Sequence, residues 1–323
     1  MKNKGLGIFL LLISLTAVII IVRDFLSSRP DKRPANPYEY SVEDLKYADT
    51  SLIGYKEVKQ IRVTAENLHA IAYNDKQIYL LADSLLTVIR LSGSLVMQKS
   101  FPDAPQCIHV TGGEKILIGF KNYLCIADSL GQILEKSSVH DEKSIFTAIT
   151  RMDNFIYTAD AGTRKVIIYD MQLKEKGEIE GISGSSVLHG FIVPSPYFDL
   201  AVNAEGELWV VNPGMHSLQH YAIDGSLIDY WEKASTDIDG FSGCCNPAHF
   251  TFLPDGNFVT SEKGLVWIKA YNPKGDLLSV VAPPDKFGES TKAPDLAADE
   301  DGNIMALDYD KKLVRIFKPK DRK

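Results

Sequence analysis

Two histidines, two aspartates, a threonine and a cysteine recur at one slot in six similar segments of this chain. His69, Cys107, Thr147, Asp199, His249 and Asp295 each stand a little upstream of a turn rich in Asp, Asn and Gly. All six side chains can hydrogen-bond or ligate. Imidazole and carboxylate together make an N/O donor set suited to Zn²⁺, Fe, Mn or Cu. One divalent ion on His249, Asp199 and Asp295, with His69 in support, would serve a hydrolase, a lyase or a redox protein. The competing reading is a ring of polar side chains that lines a wet channel and holds no ion. The slot two residues further on (Ile71, His109, Ile149, Ala201, Thr251, Ala297) is mostly small or apolar, which concentrates polarity at one level.

A second candidate is Cys244-Cys245 in the stretch GCCNP, just upstream of His249. Three readings stay open. The pair forms a vicinal disulfide, strained because adjacent Cα atoms lie closer than ordinary disulfides favour. Alternatively both thiolates ligate a soft metal with His249, or both are inert thiols. The long connection carrying them, 232–246, is expected to be functional. It shares a face with loops bearing Asp160, Asn212, His216, Glu262 and Asp308. The expected ligand-binding face is therefore Cys244, Cys245, Asn246, His216, Asn212, Glu262 and Asp308. Cys107 and Cys125 read as core residues.

The elements that position these residues are short strands in a repeated phrase. The clearest copies are Phe198–Ile223, Ala248–Tyr271 and Pro294–Phe317, with Glu205-Gly206, Asp255-Gly256 and Asp301-Gly302 in one turn slot. Asn74-Asp75, Gly112-Gly113 and Asp153-Asn154 fill that slot in three fainter copies. A unit of ~40–50 residues with three or four strands is the signature of a β-propeller. Five units continue into a fourth strand, and the sixth does not. Tyr55–Thr64 has strand character and is expected to pair with the last blade, closing six blades and removing an open edge.

Gly5–Val22 is uncharged and apolar on all faces, near the length that crosses a bilayer. Lys2 and Lys4 precede it, and no small-residue cleavage site follows. The expected organisation is a tail (1–4), a transmembrane anchor (5–22), a linker with a short helix (23–54) and one six-bladed propeller (55–323). The propeller is expected to be extracytoplasmic, in the periplasm, as in a signal anchor. The chain is 45% hydrophobic and 24% charged with a net charge of −7, which fits a globular domain and argues against nucleic acid as a partner. There is no G-x-S-x-G, H-E-x-x-H, P-loop, G-x-G-x-x-G or complete EF-hand loop.

The stretch Ile156–Tyr169 (IYTADAGTRKVIIY) and its counterparts Leu208–Tyr221 and Phe258–Tyr271 resemble NHL repeats over roughly residues 55–318. Gly243–Gly264 is similar to a membrane-anchored bacterial subgroup carrying GCCNP. The resemblance implies a six-bladed propeller, a fold used by protein- and RNA-binding modules. Related six-bladed folds include a zinc- and calcium-dependent amidating lyase and metal-dependent lactonases, but no catalytic residue carries over. Two functions are therefore expected. One is a membrane-tethered binding or scaffold module for a protein, peptide or glycan. The other is a metal-dependent enzyme.

Overall fold

The computed structural model describes residues 3–27, 46–112, 115–181, 190–288 and 292–320. The expected short helix after Ser41 falls mostly outside these residues. The chain divides into two units, 1–45 and 46–323. In the first, a helix spans Asn3–Ser27. Its segment Gly7–Ser27 has a mean hydropathy of 2.4, long and apolar enough to cross a membrane, as an anchor or a signal sequence would be. The helix runs past Val22 through Arg23 and Asp24 to Ser27.

The second unit is six four-stranded antiparallel sheets. Five are built from consecutive strands, within residues 68–100, 107–136, 146–179, 200–232 and 249–282. The sixth joins Asp295–Ala298, Ile304–Asp308 and Leu313–Pro319 to Tyr55–Arg62 in the order first, second, third, N-terminal strand. Tyr55 faces Pro319 and Arg62 faces Leu313 in that pairing. The ring thus closes as the sequence implied.

Each blade puts apolar side chains on both faces of its middle strands, and the core forms between blades. Six buried clusters result, one at each junction between neighbours. The junction of the fourth and fifth blades is rich in rings. Trp209 meets Phe258 edge-on at 4.9 Å, and Trp231 lies 5.4 Å from Tyr271.

The turn slot explains why three copies are plain and three faint. Gly206, Gly256 and Gly302 hold φ near +80° and donate back to Asn203, Leu253 and Asp299. Only glycine adopts that φ freely, so these copies share a visible Asp-Gly-like signature. In the first and third blades the turn is tighter. Asn74 pairs directly with Gln77, and Met152 with Phe155. Both inner strands then bulge, at Leu68/Ala70 and Phe146/Ala148, on the slot of His69 and Thr147.

Candidate functional site

The inner strands surround an axial cavity of about 220 Å³. Asp199 and Asp295 line it, and together with His249 they offer ligand atoms all within 4.8 Å of one another. His249 Nδ1 lies 3.5 Å from Asp199 Oδ2 and 3.8 Å from Asp295 Oδ1. The three occupy successive blades, so the repeat itself delivers them to one place.

The two carboxylates are held identically. Asp199 accepts the N–H of Leu200 and reaches across to the N–H of Phe250 in the next blade, at 2.8 and 2.9 Å. Asp295 accepts from Leu296 and from Ile71 across the ring closure, both at 2.8 Å. Each aspartate stitches two blades while presenting its oxygens to His249. Carboxylates fixed by backbone donors need no rearrangement to receive a ligand.

The electrostatics follow from this crowding. Burial disfavours the His249 imidazolium, but the Asp199 hydrogen bond and both carboxylates outweigh it and raise its pKa above the usual histidine value. Burial lifts the Asp295 carboxyl to about 6, opposed by His249 and reinforced by Asp199. Both groups therefore bind a proton more tightly folded than unfolded. Their stabilising contribution is complete at acid pH, below the unfolded values, and is lost as pH rises through about 6 and past the His249 value. The stability advantage of wild type over the double variant His249→Gln/Asp295→Asn, which removes both groups, is expected to shrink from pH 5 to pH 8 in urea titrations. A difference that grows with pH would contradict this placement of the proton.

The remaining ring residues have other partners. Thr147 Oγ1 donates to the Phe198 carbonyl at 2.6 Å, tying the third blade to the fourth. Cys107 is 3% exposed, and burial pushes its thiol pKa up. His69 is outside the triad, and its slot sits on a β-bulge. Burial lowers its pKa, with Asp83 and Lys292 nearby. One level down, burial and Arg151 bring His109 to about 4, so it is neutral at physiological pH.

Two tyrosines not singled out in the sequence join the triad. Tyr197 packs its edge on His249 at 5.4 Å between ring centroids. Tyr309 donates its hydroxyl to the His69 carbonyl at 3.0 Å, and burial followed by the Asp295 charge keeps that hydroxyl protonated. Neither has a sequence signal beyond standing next to a triad slot or a second strand.

The residues of the expected ligand face divide. Cys244 is exposed and Cys245 is buried, with their sulfurs 3.3 Å apart. Asn246 organises the loop around them. Its amide donates to the carbonyls of Ser242 and Lys263 and accepts the Lys263 N–H, while its own carbonyl lies 2.8 Å from His216 Nδ1. Asn212, Glu262 and Asp308 are 0%, 2% and 3% exposed. Asn212 binds Ile192 N–H and the Gly190 carbonyl. Glu262 pairs with Lys269 at 2.6 Å, and Asp308 with Arg315 at 2.8 Å. Their charges are spent inside the protein. Asp160 likewise takes bonds from Ser144, Ile145, Gly162 and Thr163. Among the described residues, Asp199, His249 and Asp295 form the one group of three or more His, Cys, Asp or Glu close enough to hold an ion, and the cysteine pair is outside it.

No family model and no curated protein matches this chain. Solved structures do. A streptogramin B lyase aligns with a TM-score of 0.58 at 11% identity, covering 81% of this chain and 97% of that one. Virginiamycin B lyase from Staphylococcus aureus gives 0.54 at 15%, covering 83% and 90%. A protein of unknown function from Bacteroides thetaiotaomicron gives 0.60 at 14%, covering 84% and 74%. At such identities the likeness is one of fold.

Proposed function

We propose that this chain is an NHL-like propeller tethered to a membrane by its N-terminal helix, with the propeller extracytoplasmic, and that it binds a ligand at the end of the axial channel. The carrying observation is His249, set between two carboxylates that backbone N–H groups of four blades hold in place. His249 Nδ1 lies between two carboxylates that favour its protonated form, so the three side chains make a rigid polar seat of their own. Tyr197 packs against His249, and the exposed Cys244 lies on the long loop leading to the same strand. A protein, peptide or glycan with hydrogen-bonding groups suits such a seat.

A second reading has its own support. Three N/O ligand atoms within 4.8 Å suit one divalent ion, with open positions for water or substrate. Asp199, His249 and Asp295 would hold it, and it would act as a Lewis acid in a hydrolase or lyase.

Metal analysis of full-length protein, purified in detergent without chelator, separates the two. The binding reading expects substoichiometric metal, a hit on peptide or glycan arrays, and loss of that hit in a folded His249→Ala variant. About one ion per chain, lost in His249→Ala, would replace it with the metal reading. In that case affinity for added Zn²⁺ should rise with pH, since His249 and Asp295 must shed protons to ligate.

A further inference from the structure

The cysteine pair is not absorbed by either reading. Its surroundings are specific. Asn246, the residue after Cys245, grips both the N–H and the carbonyl of Lys263. These two hydrogen bonds fix the Lys263 backbone beside the pair. Its ammonium then lies 3.3 Å from Ser195 Oγ and over the Tyr197 ring at 5.6 Å. Burial raises the Cys245 thiol pKa, and the hydroxyl of Ser195, the Cys244 sulfur and the Lys263 ammonium together bring it below its ordinary value. The loop is braced further by Phe241, 1% exposed, against Trp231 and Tyr271. An inert pair of thiols needs none of this.

The two sulfurs differ in access. Cys244 meets solvent, and Cys245 has no exposed surface. They are 3.3 Å apart. An incoming group bound to Cys244 sits on the solvent side, and Cys245 stands on the protein side of that sulfur. That is the arrangement for attack by one sulfur with departure on the other side.

We propose that Cys244 and Cys245 are a working dithiol that exchanges with low-molecular-weight disulfides, with Cys244 as the attacking sulfur and Cys245 as the resolving one. The Cys244 thiolate attacks one sulfur of the incoming disulfide. A Cys244 mixed disulfide forms, and the other half leaves as a thiolate that takes up a proton. The Cys245 thiolate, beside Lys263, then attacks the Cys244 sulfur. The second half leaves, and the Cys244–Cys245 bond closes. One disulfide is reduced to two thiols while the pair is oxidised, so no other oxidant enters. Neighbouring Cα atoms across a trans peptide are about 3.8 Å apart, below the ~4.4 Å that ordinary disulfides favour, so the closed bond is readily reopened by thiols. The reaction therefore runs in both directions and requires no ion at the triad.

The test uses full-length protein in detergent, reduced and desalted, with dithiobis-nitrobenzoate as the probe. Wild type is expected to release two thionitrobenzoate ions per chain and retain no adduct by mass. Cys245→Ser should release one and keep the adduct on Cys244. Cys244→Ser should react at least about tenfold more slowly, since the remaining sulfur is covered. Lys263→Met should leave the first release intact and slow the second, with Lys263→Arg restoring it. Cys107 and Cys125, 3% and 1% exposed, stay silent until urea is added, and their silence in every variant certifies the fold. Wild type stopping at one release with the adduct retained, Cys245→Ser releasing two, or Cys244→Ser matching wild type would each overturn the proposal.

Discussion

Lys269→Met is expected to destabilise the propeller by about 3–5 kcal/mol, the cost of leaving a buried charge without its partner. Lys269 and Glu262 are each 2% exposed with N···O at 2.6 Å. The ammonium also donates to the carbonyls of Ile238 and Gly240 at 3.1 and 2.6 Å. One side chain thus satisfies a buried acid and pins the long loop that carries the cysteine pair. Burial already raises the Glu262 pKa against the pull of Lys269. Without Lys269 the carboxyl gains a further reason to protonate, so the deficit should narrow as pH falls. Urea unfolding followed by tryptophan fluorescence reads this directly, because Trp209, Trp231 and Trp267 all lie in the propeller. Adding Glu262→Gln to Lys269→Met should recover part of the loss, since no unpaired charge then remains. A double variant no better than the single would show that the carbonyl contacts, and not the ion pair, carry the energy.

Arg315→Met is the counterpart at the ring closure, with an expected cost again of about 3–5 kcal/mol. The guanidinium donates to Asp308 and to Glu57, both at 2.8 Å, and to the Lys286 carbonyl at 3.0 Å. Glu57 belongs to Tyr55–Arg62, so one arginine couples the interior of the last blade to the strand that closes the circle. The variant should show a lower urea midpoint and faster hydrogen exchange selectively along 55–62. Arg315→Lys should recover little, because an ammonium cannot serve three acceptors in the directions of a planar fork. Uniform exchange across all six blades would instead mean that closure is held by the strand's backbone ladder alone.

Both predictions rest on a pattern that the sequence carried in plain view. Glu262 and Lys269 have the same spacing as Asp308 and Arg315, bridging the turn between second and third strands. Lys269 in Ile268–Tyr271 and Arg315 in Leu313–Pro319 are charges set among apolar strand residues. A cation at an inward-facing slot demands a buried partner. That signal could have assigned Glu262 and Asp308 to the interior, where the structure finds them. Loop position alone had suggested a ligand face, because a short acidic side chain at a strand end can turn either way.

The sequence by itself determined the number of blades, the turn slot, the strand that closes the ring and the apolar helix. Strand alternation and glycine turns are local, and each copy repeats them. It also placed Asp199, His249 and Asp295 at one level, since equivalent slots in a closed ring must face the same axis. Only the tertiary structure decided which of the six ring residues meet. Two tight turns are compensated by bulges at the slots of His69 and Thr147, and a bulge changes where a side chain points without leaving a mark in composition. Tertiary structure alone also brought Ser195 and Tyr197 to Lys263, whose backbone Asn246 holds next to the cysteine pair. Ser195 and Tyr197 approach from a segment far back in the chain, and contact between such distant segments is set by how whole blades pack, which no local pattern encodes.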